Sequence, residues 1–280
     1  MANSAYASGL NLDAMMVPVR AATVYAAQES SLYLPGSIVP IVQVPAGSAT
    51  AQVPLMGSVT ATVISSEGTG TDPQDFDTVL PSDTKRTISL DLHAARTVLR
   101  DLGGIDTADM GRILGNSIAK SFDKAVTTEF KNLTQQEAGA TLALADIFTA
   151  VGTIRGNGET GQLYGIVGTN QYANLLTAIG NASFAGGEFQ NTAMRNGFFG
   201  TIAGVQMFVS SYINNTDMGV TNNPQAAIFS GDAVKAAMQG GVNIEVARRP
   251  EAVGFDIVAS AAAGAEAIDG DRGVIIINAA

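Results

Sequence analysis

The period of the hydrophobic positions changes several times along the chain, and each change predicts an element. From Gln52 to Ile64, Val53 and Leu55, then Val59, Ala61 and Val63, alternate with Ser58, Thr60 and Thr62, the period of a half-buried strand. The polar stretch SSEGTGTDPQD at 65–75 interrupts it, and alternation returns in Thr87-Ile88-Ser89-Leu90-Asp91-Leu92. Residues 50–92 therefore read as a long two-stranded hairpin with a polar tip. Such a ribbon is marginal alone in water, so this one calls for a partner surface.

The period then becomes helical. Asp106 is placed to cap a helix whose first turn carries Asp109, a charge favoured by the helix dipole. Met110, Ile113, Leu114, Ile118, Phe122, Ala125, Val126, Phe130 and Leu133 recur down one face. At ~1.5 Å rise per residue, a helix over 107–132 spans about 39 Å, long enough to act as a spine for other parts. Upstream, Pro18, Pro35, Pro40, Pro45 and Pro54 crowd the first 54 residues. Proline fixes φ and donates to no ladder, which predicts a stiff extended arm over 32–54 after a short helix near 19–30. An arm of this length is expected to lie on a neighbour rather than to bury itself.

The next hundred residues alternate between the two periods. Helices are predicted over Leu144–Arg155, Gln171–Ile179 and Asp232–Gln239, and strands over Tyr164–Val167, Val205–Ser211 and Ala226–Phe229. The last segment returns to strands at Val242–Ala247, Phe255–Ser260 and Gly273–Asn278, with a turn at Arg248-Arg249-Pro250-Glu251. No repeat of fixed period is present. The pattern as a whole predicts an α+β protein.

Composition narrows the functional classes. The chain has 280 residues, of which 14% are charged and 46% apolar, so much of its surface is expected to be covered by something other than water. No apolar run reaches the ~18 residues of a membrane span, since even IVASAAAGAEAI at 257–268 carries Glu266. The N-terminus has no basic residue before Arg20 and no continuous apolar core, so a soluble, cytoplasmic chain without a secretory leader is expected. The absence of cysteine removes disulfide and thiolate chemistry. A net charge of −10, with 15 scattered basic residues, argues against direct affinity for DNA.

The stretch GFFGTIAGVQMFVSSYI at 197–213 has the look of an entrance to a ligand site, yet a search for chemistry finds nothing for it to serve. GNGETG at 156–161 matches the dinucleotide spacing, but a predicted helix precedes it and a strand follows, the reverse of the required order, which leaves a flexible loop. There is no phosphate-binding P-loop. The single histidine, His93, lacks a nucleophile elbow and reads as a partly buried structural residue. Asp72, Asp75 and Asp77, and Asp269 with Asp271, do not follow a calcium-loop pattern and read as solvated turns. No catalytic, cofactor or metal residue is assigned. Arg248 and Arg249 could pair with acids of another subunit or form an ordinary solvated turn. The 197–213 stretch then reads as a tight turn and core strand, with Val205, Met207 and Val209 on one side.

Three stretches carry a resemblance. VPLMGSVTATVISSEGTG…LPSDTKRTISLDL, with its Glu67-Gly68 pair before a polar tip, looks like the extended loop of a known shell-forming family. Helix 107–132 matches that family's spine helix. LYGIVGTNQYANLL, FGTIAGVQMFVSS and AAIFSGDAVKAAMQGGVNIEVARRPEAVGFDIVASAAAGAEAIDGDRGVIIIN resemble its axial domain, peripheral hairpin and closing strand, in family order. Over about residues 16–280 the chain resembles the major capsid protein of tailed double-stranded DNA bacteriophages, the Hong Kong ninety-seven type fold.

The resemblance implies an N-terminal arm (1–49), an extended loop (50–92) and a peripheral domain with the spine helix (93–140). It further implies an axial domain (141–240), peripheral strands and hairpin (241–267) and a closing axial strand (268–280). It implies a non-enzymatic subunit of hexamers and pentamers in an icosahedral head, assembled in the host cytoplasm, with scaffolding and portal proteins and a decoration protein as partners. DNA would be enclosed without specific binding, and no membrane is involved. Glu67, Asp72, Asp75, Arg248 and Arg249 are the candidate subunit interface. The chain lacks the long N-terminal scaffolding region of some members, which implies a separate scaffold or a prior cleavage, and no residue is assigned to covalent cross-linking. The alternatives are an encapsulin-like compartment shell, and a soluble α/β enzyme with carboxylate chemistry.

Overall fold

The apolar runs that lack partners in sequence find them across two sheets that share one helix. The structure, a computed structural model, describes residues 19, 21–24, 26–27, 31–55, 84–100, 107–181, 200–252 and 254–278. In chain order the elements begin with β1 (Ile41–Val44), β2 (Thr50–Leu55), β3 (Thr84–Ser89), β4 (Asp91–Arg100) and α1 (Thr107–Glu129). They continue with β5 (Thr134–Ala138), α2 (Leu144–Gly156), β6 (Leu163–Gly168), α3 (Thr169–Asn181), β7 (Thr201–Ile202) and β8 (Val205–Ser210). The last are α4 (Asn215–Met218), β9 (Pro224–Ser230), β10 (Val234–Arg249), β11 (Gly254–Ala267) and β12 (Gly273–Asn278).

The six-stranded sheet runs β5-β12-β9-β6-β8-β7 and mixes parallel with antiparallel pairs. Its central strands are apolar on both faces because both faces are covered. In β9, Ala226 and Ile228 pack with α2 and α3, while Ala227 and Phe229 face the other way towards α1; Val274 and Ile276 against Ile275 and Ile277 repeat the alternation in β12. The four-stranded sheet runs β1-β10-β11-β4, and β2-β3 forms a separate two-stranded sheet with Thr50 opposite Ser89 and Leu55 opposite Thr84. The base of the predicted hairpin is thus present, and its residues 56–83, including the Glu67-Gly68 tip, lie outside the described residues.

Helix α1 joins the layers. Its first half places Met110, Leu114 and Ile118 against Val242 and Ile244 of β10 and Ile257, Ala259 and Ala261 of β11. Its second half places Phe122 and Val126 under the six-stranded sheet, where Phe130 stacks 4.7 Å from Phe229 and lies edge-on to Tyr33 at 6.2 Å. Each such ring pair adds about 0.5–1.5 kcal/mol beyond burial. The α-helix ends at Glu129 and tightens into a 3₁₀ turn over Phe130–Asn132. The predicted cap Asp106 lies outside the described residues.

Three expectations are corrected. The predicted helix Asp232–Gln239 is instead a turn at 232–233 followed by the start of β10. Its alanines favour a helix, but β1 pairs with it on one side and β11 on the other, so the backbone bonds are made in the sheet and packing overrides propensity. The predicted strands at 242–247 and 255–260 are accordingly parts of two longer ones. The arm is not left for a neighbour over 31–44: Tyr33 and Val39 are fully buried within the chain, and β1 runs parallel to β10. Ile113 leaves the predicted apolar face and is 62% exposed, in line with exposed Asn116, Ser117 and Lys120.

Candidate functional site

Isolated polar residues in an apolar chain are where chemistry would have to sit, and the structure spends them on joints between elements. Glu159, in the glycine-rich loop after α2, is buried. One carboxylate oxygen accepts from the Gly161 N–H at 2.7 Å, and the other from Ser230 Oγ at 3.2 Å and Arg272 Nη1 at 3.0 Å. These donors, led by the Gly161 amide, hold the carboxyl below the usual carboxylate range. Arg155 donates to the carbonyls of Glu159 and Gly161 at 2.8 and 2.9 Å, and Gly158 takes a positive φ of 87°. The stretch GNGETG is therefore a pinned connection from α2 to β6, not a flexible loop and not a phosphate cradle. Arg272 extends the joint to Asp269, whose side chain caps the turn before β12 by accepting from the Asp271 N–H at 3.1 Å.

His93 lies within β4 and is half-buried; its Nδ1 is 2.7 Å from Ser121 Oγ of α1. Neither oxyanion donors nor an acid completes a triad around this pair among the described residues, and the pair ties β4 to the spine. Asp123 of α1 is buried and accepts from Ser31 Oγ at 2.5 Å and from the Leu32 N–H at 2.9 Å. Burial raises its carboxyl above the ordinary range despite these bonds. Desolvation likewise raises the Tyr33 phenol, whose oxygen is 3.3 Å from Thr127 Oγ1. This clasp fixes the arm to the helix and has no local signal, because Asp123 sits in an otherwise ordinary helical pattern. Among the described residues no group of three or more metal-type side chains converges, and no helix is long and apolar enough to cross a membrane.

The candidate interface residues Arg248 and Arg249 end β10, aligned across the sheet with the start of β11 and the end of β4. Arg248 lies over the Phe255 ring at 5.0 Å, Arg249 is 3.9 Å from Glu251, and Arg96 of β4 pairs bidentately with Asp256. Arg96 was not singled out from sequence, where it is distant from the doublet. Glu67, Asp72 and Asp75 of the candidate set lie outside the described residues. Among the described residues, exposed large apolar side chains include Leu92 on β4 at 71%, Ile113 on α1 at 62% and Phe148 on α2 at 49%. In the 197–213 stretch, Gly200 and Gly204 turn with φ of 55° and 80°, Val205 and Met207 are buried, and Val209 is exposed; Gly197 lies outside the described residues.

No protein-family model matches the sequence, and no curated protein matches it. Solved structures do match by shape. A virus-like particle from Pyrococcus furiosus shares 12% identity at a TM-score of 0.64, covering 92% of this chain and 97% of that one. The capsid of the cyanophage P-SCSP1u shares 17% identity at 0.63, covering 86% of each chain. The mature capsid of bacteriophage PhiM1 shares 15% at 0.61, covering 85% of this chain and 84% of that one. The likeness covers most of the chain, which has the Hong Kong ninety-seven type capsid fold.

Proposed function

We propose that this chain is a structural, non-enzymatic subunit that assembles as hexamers and pentamers into the icosahedral head of a tailed double-stranded DNA phage. The observation that carries the reading is that the likeness to capsid subunits spans nearly the whole length of both partners. The polar clusters support it, since each serves as an internal joint. The division into arm, extended loop, peripheral and axial domains belongs to the same reading, as do scaffolding, portal and decoration proteins as partners and assembly in the host cytoplasm. The inner wall of such a head holds DNA without gripping it, which suits a chain with a net charge of −10.

Assembly is tested by electron microscopy of the purified protein with its scaffold. Closed shells support the reading, and small monodisperse species under assembly conditions overturn it. In the interface we propose, Glu67, Asp72 and Asp75 of one subunit meet Arg248 and Arg249 of the next. Deleting residues 66–75 is expected to leave subunits folded and to impair assembly; normal shells from the deletion would refute the assignment.

A further inference from the structure

The four-stranded sheet ends at β4, and among the described residues no strand pairs with its outer border. Strand β4 keeps register with β11 without a bulge, from Asp91 opposite Ala263 to Arg100 opposite Gly254. It contains neither proline nor lysine, and its mid-strand cation, Arg96, is paired with Asp256 of β11. Such an edge presents a row of backbone N–H and C=O groups to any strand that approaches, and proline, lysine, a bulge or a covering segment is the usual guard. Among the described residues, none of these guards β4.

Helix α1 adds an apolar overhang to the same border. It runs antiparallel to β4 across one face: Thr97 Oγ1 donates to Met110 Sδ at 3.9 Å, and His93 Nδ1 is 2.7 Å from Ser121 Oγ. Gly111 and Gly115 turn towards the N-terminal helical residues, which pack with Val242 and Ile244 of β10 on the inner flank. At about 100° per residue, Ile113 lies about 200° round the helix from Gly111, on the flank beyond β4, and both Ile113 and Ser117, one turn on, are exposed. On the other face of β4, Leu92 and Ala94 are exposed. A strand added to this border would gain ladder bonds from β4, with Ile113 above one of its faces and Leu92 beside the other.

We propose that this border is a self-pairing interface, at which β4 of a second copy adds antiparallel across a two-fold axis and the two sheets become continuous. A two-fold perpendicular to the sheet keeps every residue on its own face, so residues directly opposite share a face and the axis passes through one residue. With the axis at Ala95, Leu92 lies opposite Val98 and Ala94 opposite Arg96 on the face away from α1, and His93 lies opposite Thr97 on the helix face. Moving the axis to Arg96 sets two arginines directly opposite, which is destabilising, and moving it to Ala94 sets Leu92 opposite Arg96. The strand therefore complements itself best in one register, with an apolar pair on each side of the axis and no like charges opposed. An interface of this isologous kind closes on two copies and builds no ring of five or six, so it is separate from the proposed ring contacts and stands whether or not shells form.

Because the chain has no cysteine, an introduced thiol is unique. In the full chain, Ala94→Cys sets two thiols close to the axis, and a short bismaleimide is expected to join them into a covalent dimer on a denaturing gel. Ala145→Cys, exposed on α2, is the control for chance collision. Adding Leu92→Lys, a charge of the kind that guards natural edges, is expected to cut the Ala94→Cys dimer about tenfold. Hydrogen exchange reads the backbone directly: the amides of β4 that point away from β11 are expected to gain protection as protein concentration rises. A dimer yield from Ala94→Cys no higher than from Ala145→Cys overturns the pair, as does a yield that Leu92→Lys leaves unchanged. Protection of β4 that appears only in closed particles, without cross-linking through Ala94→Cys, gives the edge to another segment and also overturns it. If Leu92→Lys fails to fold, the two cysteine variants and the exchange measurement still decide. Cross-linked pairs without particles keep this interface and sink the shell reading, and particles without cross-linked pairs do the reverse.

Discussion

Two glycines in α1 do what no larger residue can. A Cβ on Gly111 would sit 2.7 Å from both Ala22 Cβ and the Val19 carbonyl, and one on Gly115 would strike the Thr23 carbonyl and lie 3.0 Å from Ala26 Cβ. The N-terminal helical residues therefore pack against α1 backbone to backbone. Gly115→Ala is expected to destabilise the fold by about 1–3 kcal/mol, the usual cost of overpacking, and to raise hydrogen exchange over residues 21–27. Unchanged exchange there would place the N-terminal segment elsewhere. Glu159 gives a prediction with a pH signature. Its carboxyl is lowered in the folded state, so its contribution is present above the ordinary carboxylate range and is lost as pH falls through the lowered value. Glu159→Gln should cost stability in denaturant titrations at about pH 7, and the difference should shrink towards about pH 3.

At the scale of elements, α1 is the part that ties the arm, β4 and the four-stranded sheet to the rest. Asp123 and Thr127 hold the arm, Ser121 meets β4, and Lys124 reaches Asp217 at 2.9 Å in the segment between β8 and β9. The Lys124 side chain is 50% exposed, so this ion pair is screened. Lys124→Ala is expected to cost no more than about 1 kcal/mol, with the difference from the parent fading in high salt. The helix itself was legible in sequence, because nine apolar residues at helical spacing fix both its extent and its buried face, apart from Ile113. Its partners were not. Tyr33, Phe130 and Phe229 meet from positions spread over some two hundred residues, and nothing local marks them as one cluster.

For the whole molecule, the low charge has a structural counterpart in Leu92 and Ile113, large apolar groups turned outward. Exposed sites of this kind contribute little to folding, so Ile113→Glu should leave thermal stability within about 0.5 kcal/mol of the parent. If the side chain is covered in the assembled shell, the same variant should fail to form particles; normal particles would show that Ile113 stays in contact with water. Of the candidate interface, the Arg248-Arg249 doublet was visible in sequence as a charged pair. Its neighbours Arg96 and Asp256 were not, because strand register alone brings β4 alongside β11.

The sequence by itself determined the spine helix, the alternating base of the hairpin, the strands around 164–167, 226–229 and 273–278, and the lack of a recognisable catalytic motif. These follow from short-range periodicity and from residue types that chemistry cannot do without. Only the tertiary structure decided that 234–239 is a strand, that the arm over 31–44 is buried in its own chain, and that GNGETG is pinned by Glu159. In each case the deciding contact joins residues distant in sequence: β1 and β11 flank β10, Asp123 clasps Ser31, and Arg272 reaches Glu159. Local propensities amount to a few tenths of a kcal/mol per residue, whereas an unpaired buried polar group costs about 1–3 kcal/mol. Where the two compete, long-range pairing sets the structure.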